Sequence, residues 1–141
     1  MSPEPTHLRQ TLVPLDVAMH VLSRTRPCVR SMVERGDLRW VFDVSAPSGR
    51  MTRQEWRFWI RDLYAPCILR HLDTDDAVDE VVGHKTERWL CLRTVGEMLW
   101  VARPHLDRLE CTGELGVHVI RGIKCVARPA LCAFLECRLV H

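Results

Sequence analysis

Apolar residues recur at helical spacing in the first third of the chain. Leu15, Ala18, Met19 and Leu22 stand at i, i+3, i+4 and i+7, which predicts a helix within Leu12 to Leu22 that begins near Pro14. Val29, Met32 and Val33 make a second, shorter stripe. Thr25 suits its N-cap, Pro27 its first turn and Gly36 its left-handed stop. Only Ser23 and Arg24 separate the two helices, so the joint is a tight turn. After Gly36 the pattern changes to the β-branched and aromatic run Leu38 to Val44, which reads as a strand. Ala46 to Gly49 supplies turn chemistry, and Arg50 and Met51 begin a return strand. Thr52 with Glu55 three residues on forms a capping-box pattern. Trp56, Trp59, Ile60 and Leu63 then follow at helical spacing, which predicts a third helix whose tryptophans close the core over the first two. Pro66 ends it.

The phrase recurs. Residues 101–115 repeat residues 24–38 at a shift of 77, pairing Pro27 with Pro104, Gly36 with Gly113 and Arg26 with Arg103. Met51 to Ile60 aligns with Val126 to Leu135 at a shift of 75, which places a length change at the hairpin. The second copy thus predicts a start near Trp89 and a first helix holding Val95, Met98 and Leu99. A second helix over Arg103 to Thr112 follows, then a hairpin over Leu115 to Val126 with Arg121 and Gly122 at its tip, and a last helix over Pro129 to Cys137. The expected organisation is a unit at 12–65, an acidic connector at 66–88 and a second unit at 89–139. In the connector, Ala77, Val78, Val81 and Val82 predict a short amphipathic helix stopped by Gly83. Its carboxylates read as a solvated face rather than a metal or acid–base site. Units of about 50 residues bury little alone, so the copies should pack on each other or on the connector.

Charge changes the picture through its placement, because the net value is only +2. Residues 1–70 carry 11 Lys+Arg against 7 Asp+Glu, residues 71–90 carry 2 against 6, and residues 91–141 carry 7 against 5. Two basic modules flank an acidic segment, the distribution expected of a polyanion binder. The short second helix has an apolar back and an outer face of Arg26, Cys28, Arg30, Ser31 and Arg35, dimensions that suit a DNA major groove. The strand and turn after it would bring Arg39, Ser48, Arg50 and Arg53 to phosphates or the minor groove. Seven cysteines without paired ligand spacing, no N-terminal signal sequence and no apolar run of membrane-spanning length point to a cytoplasmic chain with reduced thiols. His105, Cys111, His118 and Cys125 share one stretch, but their spacing matches no zinc pattern. Neither a catalytic constellation nor a phosphate loop stands out, so no enzyme, metal or cofactor is expected.

The order helix, turn, Arg-Pro-x-Val helix (Arg-Pro-His-Leu in the second copy), Gly-[Asp/Glu]-Leu, hairpin, helix resembles excisionase-like and MerR-like winged helix-turn-helix domains, over roughly residues 12–64 and 89–137. The resemblance implies a mainly α fold with small β-hairpins (α+β), made of two tandem winged helix-turn-helix units. It further implies sequence-specific double-stranded DNA binding, as a transcriptional regulator or an excisionase-type accessory factor, with a recombinase or the transcription machinery as partner. Carried over by position, the DNA contacts would be Arg24, Thr25, Arg26, Cys28, Arg30, Ser31 and Arg35 in the first copy and Arg103, His105 and Arg108 in the second. The wings would add Arg50, Arg53, Arg121 and Lys124. Asp107 stands where the first copy has Arg30, and Glu110 where it has Val33. A carboxylate toward phosphates is repulsive unless Asp107 accepts from a cytosine amine or pairs with Arg103 or Arg108, so the first copy is the stronger reader. The competing expectation is a protein-interaction adaptor or self-associating module.

Overall fold

The computed structural model describes residues 11–46, 54–83 and 88–140. The first half runs β1 (Leu12–Pro14), α1 (Leu15–Leu22), α2 (Arg26–Glu34), β2 (Val41–Asp43), β3 (Trp56–Trp59) and α3 (Ile60–Tyr64). A 3-10 turn at Leu69–His71 and α4 (Thr74–Val82) follow. The second half runs β4 (Trp89–Cys91), α5 (Leu92–Leu99), α6 (Arg103–Cys111), β5 (His118–Ile120), β6 (Ile123–Ala127) and α7 (Arg128–Cys137). The chain is mixed α and β, with two three-stranded antiparallel sheets ordered β1-β3-β2 and β4-β6-β5.

Local chemistry accounts for the helices. The apolar stripe of α2 is buried through Val29 and Val33, with Met32 half-buried beside them. Gly36 (φ +83°) and Gly113 (φ +78°) take the left-handed conformation after α2 and α6. The amides that follow return to the last turns: Asp37 N–H donates to the Met32 carbonyl at 2.9 Å and Leu115 N–H to the Leu109 carbonyl at 3.1 Å. Thr25 occupies the N-cap of α2 without a side-chain cap bond. Ala77, Val78, Val81 and Val82 are all buried on α4, which ends at Gly83.

The first helix begins after Pro14, as expected, and an unpredicted strand precedes it: β1 pairs Leu12 with Trp59 and Pro14 with Arg57, and β4 likewise opens the second half. Two expectations need correction. Trp56 to Trp59 form a strand rather than the third helix, so the pattern at Thr52 and Glu55 caps no helix there; Thr52 itself lies outside the described residues. Helical spacing misled because β3 runs directly into α3 at Ile60, and a strand buried on both faces has no polar alternation to betray it. The shift of 75 also fails. Trp59 faces Leu12 as Ala127 faces Trp89, so the hairpins differ by far more than two residues. The first hairpin connection covers 44–55, whereas Arg121 (φ 52°) and Gly122 (φ +80°) alone join β5 to β6, the geometry of a type I′ turn.

Alternation along the first sheet divides two cores. Val13, Val41 and Phe58 face α1 and α2 together with Val29, Val33, Leu38 and Leu63. Leu12, Trp40, Phe42, Val44 and Trp59 face the opposite way, into a second cluster shared with α4, α5, α6 and α7. Trp40 and Trp59 meet edge-to-face there, with ring centroids 6.5 Å apart. The halves therefore share a core, as units too small to stand alone require. Arginines lock the joint. The Arg57 guanidinium donates to the Leu99 and Trp100 carbonyls at 3.0 Å each. Arg128 reaches Asp79 and the Gly83 carbonyl, tying α7 to α4. Beyond α7 the chain returns to the first sheet: Asp43 N–H donates to the Arg138 carbonyl at 2.8 Å, and Val140 N–H to the Val41 carbonyl at 3.0 Å, along the open edge of β2.

Candidate nucleic-acid interface

The outer face of α2 is built from the bottom by its own stripe. With Val29 and Val33 pinned to the sheet, helical geometry turns Arg26, Arg30, Ser31 and Arg35 outward, and all four are exposed, as are Arg24 and Thr25 in the turn before them. Cys28 is half-buried. Arg30 lies over the Trp56 ring, 5.0 Å from guanidinium carbon to centroid. Stacking fixes the guanidinium plane and leaves its N–H edge free to donate. Helical spacing does not predict this floor, since it places Trp56 in a helix core; the strand position puts it against α2 instead. Arg35 is held by Asp37, at 2.9 Å from Nη2 to Oδ2. Arg24, Arg26 and Arg30 form no ion pair among the described residues. Arg50, Arg53 and Ser48 lie outside the described residues.

Arg39, expected on the wing, is a structural residue. It donates to the Arg70 carbonyl at 2.6 Å and the Leu72 carbonyl at 3.0 Å while stacking on Trp40. Its planar donor fork closes the segment after α3 onto the strand, and this leaves little of it for a ligand.

The equivalent face of the second half differs. His105 is 7% exposed rather than outward, with Nε2 2.6 Å from the Val44 carbonyl and Nδ1 3.7 Å from Glu55. It belongs to the joint between the halves, which corrects the expectation that it contacts DNA. Arg103 is exposed but paired with Asp107 at 3.1 Å, so of the partners left open for that carboxylate the structure selects Arg103 at i,i+4. Lys124 is drawn to Glu110 at 2.9 Å, so Glu110 carries the counter-charge of the hairpin in its own half. Arg108 and Arg121 are exposed, the latter at the turn of the hairpin. Two of this half's candidate cations thus carry their own counter-charge, and one candidate is buried.

The arrangement offers an exposed cationic helix face. Among the described residues, no group of three or more His, Cys, Asp and Glu could hold a metal ion. His105 lies in the joint, whereas His118 and Cys125 occupy the sheet of the same half. No helix among the described residues is long and apolar enough to cross a membrane. No protein-family model matches the chain, and no curated protein or solved structure matches it.

Proposed function

We propose that this protein binds double-stranded DNA sequence-specifically through α2, as a regulator of transcription or an accessory factor of recombination. The observation that carries the reading is the outward row Arg24, Arg26, Arg30 and Ser31, free of internal carboxylates among the described residues and backed by the Trp56 floor. Each half repeats strand, helix, tight turn, helix, hairpin and helix, which supports reading both as winged helix-turn-helix units. In such a unit α2 enters the major groove. Arg30, held flat by Trp56, is suited to the paired acceptors of a guanine edge, and Arg24 and Arg26 to phosphates. The second unit serves mainly as a brace. Its equivalent helix spends His105 on the joint and Arg103 on Asp107, so it adds a weak contact rather than an equal half-site.

The test is selection from random duplexes, at two salt concentrations, of the wild type and two double variants. Arg26→Ala/Arg30→Ala should abolish enrichment, whereas Arg103→Ala/Arg108→Ala should keep the motif and most of the affinity. With three or so phosphate contacts, log affinity should fall with log salt at a slope of about −3. Binding that ignores both salt and the α2 arginines would refute the reading.

A second reading rests on a different observation. Ile120 and Ile123 are exposed on the second hairpin, and Val119 beside them is 65% exposed. As a protein-docking surface, this hairpin makes the chain an adaptor. Replacing Ile120 and Ile123 by Lys would then remove association, measured by sedimentation, without touching DNA affinity.

A further inference from the structure

Two cysteines stand directly opposite one another in the second sheet. The β4–β6 ladder pairs Cys91 with Cys125. Bonded and non-bonded pairs alternate along an antiparallel ladder, and Arg128 N–H donates to the Arg88 carbonyl at 2.8 Å. Stepping inward from that bonded pair, Trp89 and Ala127 are non-bonded, Leu90 and Val126 bonded, and Cys91 and Cys125 non-bonded. Non-bonded pairs hold their Cα atoms about 4.5 Å apart with the side chains closer still. That lies within the roughly 4.4–6.8 Å a disulfide spans. Both side chains point to the same face, opposite to Leu90 and Val126, which enter the shared core.

The two thiols are unlike. Cys91 is half-buried and is the N-cap residue of α5, with Sγ 3.1 Å from the Thr94 hydroxyl. The Thr94 hydroxyl, helped by the backbone at the start of α5, holds it below the usual thiol range, which raises its thiolate fraction. Cys125 is 8% exposed and donates weakly to the Ile123 carbonyl. Trp89 and His118, on the strands either side of β6, meet edge-to-face at 5.5 Å. A small oxidant thus reaches Cys91 before Cys125.

We propose that Cys91 and Cys125 form a reversible thiol–disulfide pair, Cys91 reacting with a hydroperoxide and Cys125 resolving the product. The Cys91 thiolate attacks a peroxide oxygen and the O–O bond breaks. The departing oxygen leaves as hydroxide or alkoxide and takes a proton from water, while Cys91 becomes a sulfenic acid. Cys125 loses its proton and attacks the Cys91 sulfur; the S–O bond breaks and that oxygen leaves as water. The sulfurs are together oxidised by two electrons and the peroxide is reduced by two. A dithiol reductant reverses the step by exchange. Forming the bond draws the Cys91 sulfur away from Thr94 and ties the start of α5 to the middle strand of its sheet.

The experiment uses the full chain, reduced, then treated with less than one equivalent of hydrogen peroxide and digested without reductant. The expected main product is one linked pair of peptides carrying Cys91 and Cys125, lost on treatment with dithiothreitol. In Cys125→Ala, dimedone should label Cys91 about ten-fold more than the exposed Cys111 and Cys137, which act as internal controls. Absence of the 91–125 link in the wild type, or linkage spread evenly over the exposed cysteines, overturns the proposal. Peptide mapping of the wild type decides the matter even if Cys125→Ala fails to fold.

Discussion

Replacing Asp62 by Asn should remove a distinct component of the pH dependence of stability. Asp62 is 1% exposed; Oδ2 accepts the Trp40 N–H at 3.2 Å, and Oδ1 has no partner among the described residues. Burial, opposed by the N–H groups of Trp40 and Arg39, raises its pKa from 3.8 to about 6. In the unfolded chain the carboxyl ionises near its ordinary value, so between the two values the folded state holds the extra proton. Stability from this group is therefore greatest below pH 4, falls as pH rises toward 6, and is level above that. A shift of about two units corresponds to about 3 kcal/mol, an order-of-magnitude figure for a buried group. Urea denaturation of wild type and Asp62→Asn at intervals from pH 4 to 7.5 measures it. The amide keeps an acceptor for Trp40 but cannot titrate. The difference between the two curves should change by about 2–3 kcal/mol across the window, with other groups cancelling. Parallel curves would refute the assignment of a raised carboxyl to Asp62.

Three other outcomes follow from the joint and from the helix face. Arg57→Met removes the donors to Leu99 and Trp100 and should cost about 2–3 kcal/mol in urea denaturation, because those carbonyls lose charge-assisted bonds. Gly96→Ala should destabilise by about 1 kcal/mol in the same assay despite alanine's helix propensity: its Cβ would meet Leu106 Cδ1 at 3.0 Å and the Val101 carbonyl oxygen at 3.2 Å. Trp56→Leu keeps an apolar filler but removes the ring beneath Arg30, so duplex affinity measured by fluorescence anisotropy should fall by about 0.5–1 kcal/mol, a few-fold. An unchanged affinity would mean the stacking does not orient Arg30 for DNA.

Much of the local structure was legible because its causes are local. The stripe Val29, Met32 and Val33, the proline in the first turn and the positive-φ glycines at 36 and 113 act within a turn or two, and α2 and α6 lie where these signals put them. The connector helix was legible for the same reason. Trp56 to Trp59 were not, since their apolar spacing satisfies a helix as readily as a strand buried on both sides, and only pairing with β1 and β2 decides between them.

By itself the sequence determined the mixed α and β class, the repeat at 77 residues and the arginine-rich outer face of α2, while the choice of Arg103 over Arg108 as the partner of Asp107 came from the structure. Tertiary structure alone decided which side chains are spent on the joint between the halves. Arg57 and Leu99 are 42 residues apart, His105 and Val44 are 61, and Arg138 and Asp43 are 95, yet each pair is joined by hydrogen bonding. No pattern within a window can announce contacts at that range. They arise because the first sheet has a second apolar face to bury and the second half covers it, turning His105 inward and leaving Arg24, Arg26 and Arg30 in solvent.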